Sequence, residues 1–345
     1  MKAFLIAVVG SDNFGDEAMF KVAYRQLVSK GYNITVGTYN IERASERFPD
    51  VSFLKLPKLS KIDTYRCLFG GHVKTIDISK YDALYVAGGG NLNSIYFNHV
   101  CLLWSLVVRF KKLGKYVEFR PQSVGPFYGR KAKHVQRMVD EIVRRADKFY
   151  VRELISYNYL SQRGLKVELV RDDAWEIPAA DIELPVENFV ALSIRPWSNE
   201  ENLRKYFKKL TDTIIHVGYK ILFVPIAYGG KKRYHDNSFL KGFIEGYFLE
   251  DIVNIQKLTP EVIKGIIKKC EFAIGMSYHF NVFALSCGKP SAAVYTDEYY
   301  RIKNLGLYEA WGSKDAVFKI PETSPEIIVN YLINSVEKSK SNNLG

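Results

Sequence analysis

The chain has 345 residues, 47% of them apolar, and carries 49 Lys and Arg against 37 Asp and Glu, a formal charge of +12. That length suits two domains with a buried core each, and no apolar run approaches the ~20 residues of a membrane span. The basic excess calls for an anionic partner, but its clusters (Lys131–Lys133, Lys208–Lys209, Lys231–Arg233 and Lys268–Lys269) are short and scattered, which speaks against nucleic acid.

From the N-terminus, Ala3–Val9 reads as a buried strand, too short and too soon followed by a glycine turn to be a signal peptide. A helix is expected over Asp16–Lys30, with Met19, Val22, Ala23 and Leu27 inward, then a strand over Asn33–Thr38. Ala83–Ala87 forms the next strand and ends in Gly88-Gly89-Gly90. His99–Leu113 reads as a helix, Tyr116–Arg120 as a strand, Lys131–Ala146 as a helix with a basic outer face and Lys148–Val151 as a strand. Strand–helix alternation at this spacing predicts parallel sheets covered on both faces.

The proline-containing stretch 177–185 breaks the pattern and reads as a linker. A second series follows: strand Phe189–Ile194, helix Asn202–Val217, strand Lys220–Pro225, helix Pro260–Cys270, strand Phe272–Gly275, helix His279–Cys287 and strand Ser291–Val294. The expected domains are residues 1–180 and 187–322, with a C-terminal helix over Pro325–Lys338 and a polar, disordered tail within 323–345. Cysteines 67, 101, 270 and 287 lie far apart with no CxxC pair, which predicts free thiols, a reducing cytoplasmic setting and no zinc site.

Candidate chemistry collects at strand ends, where ligands bind in sheets of this kind. After the first strand come Asn13, Gly15, Asp16 and Glu17 at a helix start; the carboxylates either cap that helix or bond sugar hydroxyls. Gly89, Gly90 and Asn91 offer a strand end with little side chain, suited to close ligand approach. Arg120 and Gln122 open a proline-stiffened loop, and Arg195 ends the first strand of the second series. An arginine at such a place is suited to a carboxylate or phosphate. The densest segment is Gly275-Met276-Ser277-Tyr278-His279, where His279 opens a helix and can touch an anion or move a proton.

Taken in order, Asn13-Phe14-Gly15-Asp16-Glu17-Ala18, Gly88–Gly90, Gln122–Pro126, Arg152-Glu153 with Ser156, Asp172 with Ala174, Ser193 with Arg195, and His279 through Phe283-Ala284 and Gly288 to Tyr295 and Lys303 resemble the polysaccharide pyruvyltransferase family. The resemblance implies an α/β fold of two doubly wound, Rossmann-like domains of the GT-B type with an inter-domain cleft. The last helix is expected to cross back onto the first domain, as in many GT-B proteins. It implies transfer of the pyruvyl group of phosphoenolpyruvate (PEP) to a saccharide as a cyclic ketal, with PEP as co-substrate and neither metal nor nucleotide cofactor.

On that basis His279, Asp16 and Glu17 are the expected catalytic residues. The donor would meet Arg195, Ser277, Tyr278, His279, Arg301 and Lys303, and the acceptor Asn13, Asp16, Gly89, Gly90, Asn91, Arg120 and Gln122. The family pattern has arginine two residues before the histidine, where this chain has Ser277. Either Arg195, Arg301 or Lys303 replaces that cation, or the donor is not PEP. The basic surface suits a lipid-linked, pyrophosphate-bearing acceptor and peripheral contact at the inner membrane face. The alternatives are a GT-B glycosyltransferase using a nucleotide sugar and a non-catalytic saccharide-binding relative.

Overall fold

The computed structural model describes residues 1–73, 76–196, 200–229 and 235–342, so the basic run Lys231–Arg233 lies outside the described residues. The chain divides into two compact units: Met1–Ser11 with Asp16–Asp173, and Asp12–Gly15 with Ala174–Gly345.

The first unit contains β1 (Lys2–Ile6), α1 (Phe14–Ser29), β2 (Asn33–Thr38), α2 (Ile41–Arg47), β3 (Phe53–Lys55), α3 (Lys61–Leu68), β4 (Ala83–Val86), β5 (Gly89–Leu92), α4 (Phe97–Lys112), β6 (Tyr116–Val124), α5 (Ala132–Arg145), β7 (Lys148–Val151), α6 (Leu154–Ser161) and β8 (Glu168–Leu169). Residues 14 and 15, at the head of α1, count with the second unit. The sheet runs β3-β2-β1-β4-β6-β7-β8 with β5 added beside β6. Every pairing in it is parallel.

Alternation along β1 shows why both faces are covered. Phe4 and Ile6 join the core beneath α4 and α5, while Ala3, Leu5 and Ala7 join a second core with Phe20, Ala23 and Leu27 of α1. Helix α4 buries 11 of its 16 residues, so it is an interior element more than a surface one.

The second unit contains β9 (Phe189–Ser193), α7 (Glu200–His216), β10 (Lys220–Phe223), β11 (Tyr247–Phe248), α8 (Leu249–Ile252), α9 (Pro260–Lys269), β12 (Ala273–Gly275), α10 (Tyr278–Ser286), β13 (Ser291–Tyr295), α11 (Glu298–Trp311), β14 (Val317–Lys319) and α12 (Pro325–Asn342). Its sheet runs β11-β10-β9-β12-β13-β14, again parallel throughout. Ile328, Val329, Leu332 and Val336 of α12 lie in one core with Leu203, Phe207 and Leu210 of α7. The helix does not stop at Lys338; it continues to Asn342.

Both sheets share one order: the third strand, the second and the first, then a jump to the fourth. This is the doubly wound Rossmann arrangement, in which the crevice lies where the order reverses. The reversal falls between β1 and β4 in the first unit and between β9 and β12 in the second. Cys67, Cys101, Cys270 and Cys287 are free thiols, the first three buried. No helix of the described residues is long and apolar enough to cross a membrane.

Candidate functional site

In the first unit the chain leaves β1 through Gly10, whose φ of +81° is left-handed. A Cβ there would also stand 2.7 Å from the Asn40 carbonyl oxygen and 2.9 Å from the Ala44 amide nitrogen, so glycine is required by α2 and not by a ligand. Asn40 Nδ2 donates to the Gly10 carbonyl at 3.2 Å, and Thr38 Oγ1 donates to that of Val9 at 2.6 Å.

Of the two carboxylates at the start of α1, Glu17 is buried and held by Arg47, whose Nη2 and Nε donate to it at 2.6 and 3.1 Å. Asp16 is half-buried and accepts from Ser11 Oγ at 3.0 Å. Glu17 is thereby committed to a charge-assisted pair inside the first unit.

Several motif residues are engaged within the first unit. Arg120 grips Asp173 through Nε and Nη2 at 3.0 and 2.5 Å. Gln122 donates to the carbonyls of Ala87 and Arg120 at 2.7 and 2.9 Å. Arg152 is 1% exposed and donates to Ser123 Oγ at 2.8 Å and to Asp172 at 2.7 Å. Glu153 caps α6 by accepting from the Ser156 amide, and Ser156 Oγ in turn receives the Val124 amide at 2.7 Å. Burial pushes the Glu153 carboxyl up to about 7 against those bonds. Removing one partner of such a buried ion pair costs about 3–5 kcal/mol, reason enough for these residues without a ligand.

What remains at this crevice is a cavity of about 790 Å³, lined among others by Tyr39, Lys58, Asn91, Tyr96, His99 and Lys131. Gly89, Gly90 and Asn91 all lie on β5, the short strand beside β6, and only Asn91 of the three faces this cavity. The wall behind it is neutral. The Tyr39 hydroxyl and His99 Nδ1 are 2.8 Å apart, and burial lowers His99 to about 4 while raising Tyr39 to about 12. Sequence reasoning passed over Tyr39 and His99; a histidine closely following the strand-end glycines was the available signal.

The second unit's crevice is charged. Arg195 stands two residues beyond Ser193, and Ser193 pairs with Gly275, four residues before His279. Both therefore follow the carboxyl ends of adjacent strands. Arg195 donates from Nη1 to Asp236 at 2.9 Å and from Nε to Tyr300 Oη at 3.2 Å. Asp236 is fully buried, and its second oxygen accepts the amides of Ile226 and Ala227, both at 3.0 Å. Burial would lower the guanidinium's pKa, but Asp236 and then Tyr300 outweigh it and hold the value above the ordinary one. The Tyr300 hydroxyl is itself pushed up by burial.

Residues 12–15 are knitted into the same unit. Asn13 bridges Ala227, the Phe14 amide donates to the Ile226 carbonyl at 2.9 Å, and the Phe14 and Tyr228 rings stack at 4.2 Å. Asn13 Oδ1 accepts the Gly15 amide at 2.9 Å, a local turn in place of the expected acceptor contact. Gly15 then lies flat against His279: a Cβ there would stand 2.0 Å from Nδ1 and 2.1 Å from Cγ.

His279 is the second residue of α10 and 8% exposed, with Tyr278 edge-on to its ring at 5.3 Å. Ser277 is the N-cap residue, buried, and makes no side-chain capping bond. The two other expected cations are engaged on their own helix, α11. Arg301 pairs with Glu298 through two contacts of 2.7 Å, and Lys303 bonds the Tyr299 hydroxyl with its ammonium 4.0 Å above that ring. Among the described residues, Arg195 is the cation that stands directly past the end of β9, beside the reversal point. Asp236 and Tyr300, which hold it, carried no signal in a single sequence.

Among known proteins, the model of the family described as Polysaccharide pyruvyl transferase matches residues 13–298. No curated protein matches significantly. Solved structures similar to the chain include UDP-GlcNAc 2-epimerase from Methanocaldococcus jannaschii, at 14% identity and TM-score 0.57 over 98% of this chain and 92% of that one. HepE from Anabaena, solved with UDP, gives 13%, 0.57, 98% and 91%. A ugt transferase from Siraitia grosvenorii, also with UDP, gives 10%, 0.56, 99% and 93%. At such identities the likeness is one of fold, and it agrees with two Rossmann-like units of the GT-B type.

Proposed function

The chain belongs to the polysaccharide pyruvyl transferase family, and from that premise we propose that it moves the pyruvyl group of PEP onto two hydroxyls of one saccharide as a cyclic ketal. The observation that carries the reading is that Arg195 and His279 follow the ends of the adjacent strands β9 and β12, at the second unit's reversal point. A fixed cation suits the carboxylate or phosphate of PEP, and an imidazole at a helix start suits phosphate or proton transfer.

In the proposed reaction a proton adds to the vinyl carbon, leaving an oxocarbenium-like C2. One sugar hydroxyl adds there and gives up its proton. The C2–O bond to phosphate breaks, and the second hydroxyl closes the ketal with loss of its own proton. His279 is the proposed general acid or phosphate ligand. Asp16, which accepts from the Ser11 hydroxyl, is the proposed residue that orients the acceptor, while Glu17 is engaged by Arg47. The saccharide is assigned to the first unit's cavity, whose Asn91 and aromatic side chains suit hydroxyls and sugar faces.

Calorimetric titration of the purified chain with PEP and with UDP-sugars tests this, alongside phosphate release from PEP in the presence of candidate saccharides. PEP binding with saccharide-dependent phosphate release is expected. Binding of a UDP-sugar with no response to millimolar PEP would replace the proposal by glycosyl transfer, the donor type suggested by neighbours solved with UDP.

A further inference from the structure

A surface helix ordinarily turns its apolar stripe inward and its polar residues outward. Helix α3 keeps apolar residues on both sides. Ser60 and Asp63 form a capping box at its start, Cys67 is buried in the first unit's core, and Leu68 packs against that core. Thr64 Oγ1 donates to Asn98 Oδ1 at 3.3 Å, tying α3 to the first turn of α4. On the outward side Ile62, Tyr65 and Phe69 are 67%, 63% and 86% exposed. At about 100° per residue these three fall within about 60° of arc, with Lys61 and Arg66 on its two flanks. Both flanking cations are exposed, as is Lys58 just upstream. Asp63 is the one acidic residue between Lys55 and Gly71, and the capping box engages it.

We propose that this face of α3 docks the first unit onto an anionic lipid bilayer. An apolar strip edged by cations is the arrangement of an interfacial helix: the side chains enter the acyl boundary while the cations meet lipid phosphates. Three side chains on two turns are too few for a stable protein interface of about 800 Å² per partner, but a bilayer requires no matched surface. The cavity lies alongside, since Lys58 and Asn98 belong to its lining, and so do Ile95 and Tyr96, which are 38% and 39% exposed. Docking here sets the cavity mouth at the headgroup layer, where a saccharide carried on a lipid would be met. That last step rests on the acceptor assignment above; the docking does not.

Flotation of the full chain with vesicles of phosphatidylcholine alone, or with about a third phosphatidylglycerol, at low and high salt, tests the proposal. The expected result is binding to anionic vesicles at least about tenfold above neutral ones, weakened by salt. The variant Ile62→Ser/Tyr65→Ser/Phe69→Ser should bind about tenfold less or weaker, with an unchanged melting temperature because all three side chains are exposed. Lys61→Glu/Arg66→Glu should abolish the preference for anionic lipid. Wild type floating with neither vesicle, or the triple-serine variant floating as well as wild type, overturns the docking. So does a wild-type dimer in velocity sedimentation that the triple-serine variant turns to monomer without vesicle binding in either, which would make the face a contact between copies. Phosphate release with a soluble saccharide is read in parallel and should be unaffected by the serines, so failure of docking and failure of pyruvyl transfer give different results.

Discussion

The two units have the same strand order and the same reversal point, yet the two crevices are furnished differently. The first opens into a cavity of about 790 Å³ whose back wall, Tyr39 and His99, is neutral at pH 7. The second is ionic, with Arg195 fixed between Asp236 and Tyr300 and with His279 against the backbone of Gly15. One architecture thus provides a roomy site with a hydroxyl-bearing back wall and a site centred on an ion pair. The difference lies in the loops and helix starts that follow the strands, which is where function is written on a common fold.

The largest effect should come from the ionic side. His279→Ala is expected to lower pyruvyl transfer by about 10²–10⁴ while the melting temperature stays close to wild type. Steady-state phosphate release with a verified saccharide measures it. Turnover near wild type would reduce His279 to a helix-start residue and leave the Arg195–Asp236 pair as the charged feature of the second crevice.

Gly15→Ala should be next. The new methyl would overlap the imidazole, so the ring or the 12–15 segment must move, and displacement by about 1 Å at a reacting group costs roughly 10²-fold. The double variant Gly15→Ala/His279→Ala sharpens the test. Its melting temperature should exceed that of Gly15→Ala because the truncated side chain makes room. Equal melting temperatures would show that the strain of Gly15→Ala is absorbed elsewhere.

Much of this was legible in the sequence, for reasons that differ by residue. The longer strands of both sheets were readable because Ala3–Ile6 or Phe189–Ser193 are short apolar runs bounded by turns, the signature of doubly covered parallel strands. The short strands β3, β5, β8, β11 and β14, two to four residues each, are too brief to show a pattern and went unread. The reversal-point residues Arg195 and His279 could be placed because strand ends follow from strand positions. At the site itself, what escaped was whatever depends on a distant partner. Asp236 acquires its meaning from Arg195, 41 residues earlier, and Glu17 from Arg47, 30 residues later. The Gly15 contact with His279 spans most of the chain. Helix α11 escaped for another reason: its crowded tyrosines and internal Gly306 give it no clear apolar period.

Arg195 should come third in size. A charge-assisted bond contributes roughly 1.5–3 kcal/mol, so Arg195→Ala is expected to weaken PEP binding by about tenfold or more in calorimetry. Stability should fall as well, because Asp236 would keep its two amides but lose its counter-charge. Ser277→Arg is the converse experiment. Since Ser277 makes no capping bond, replacing it sacrifices little at the helix start, and an arginine there should raise PEP affinity if its bulk is accommodated beside Tyr278. No PEP binding by wild type, Arg195→Ala or Ser277→Arg at millimolar ligand would remove the donor role from this crevice.

The smallest effect tests the neutral side. His99 meets the Tyr39 hydroxyl through Nδ1, and burial lowers its pKa from 6.5 to about 4. As pH falls below 6.5 the unfolded chain takes up this proton first, so stability contributed by neutral His99 is lost progressively until the folded form also protonates near 4. Above 6.5 both states are neutral and the contribution is complete. His99→Gln carries no such proton, so its melting temperature relative to wild type should rise as pH is lowered through that window and stay level above it. The imidazole resonances of His99 followed by NMR should show a midpoint near 4. A midpoint at or above 6.5 would add a cation to the back wall of a cavity that Lys58 and Lys131 already line. The first crevice would then be built to hold an anion, as the second is, and the division of labour between the units would have to be redrawn.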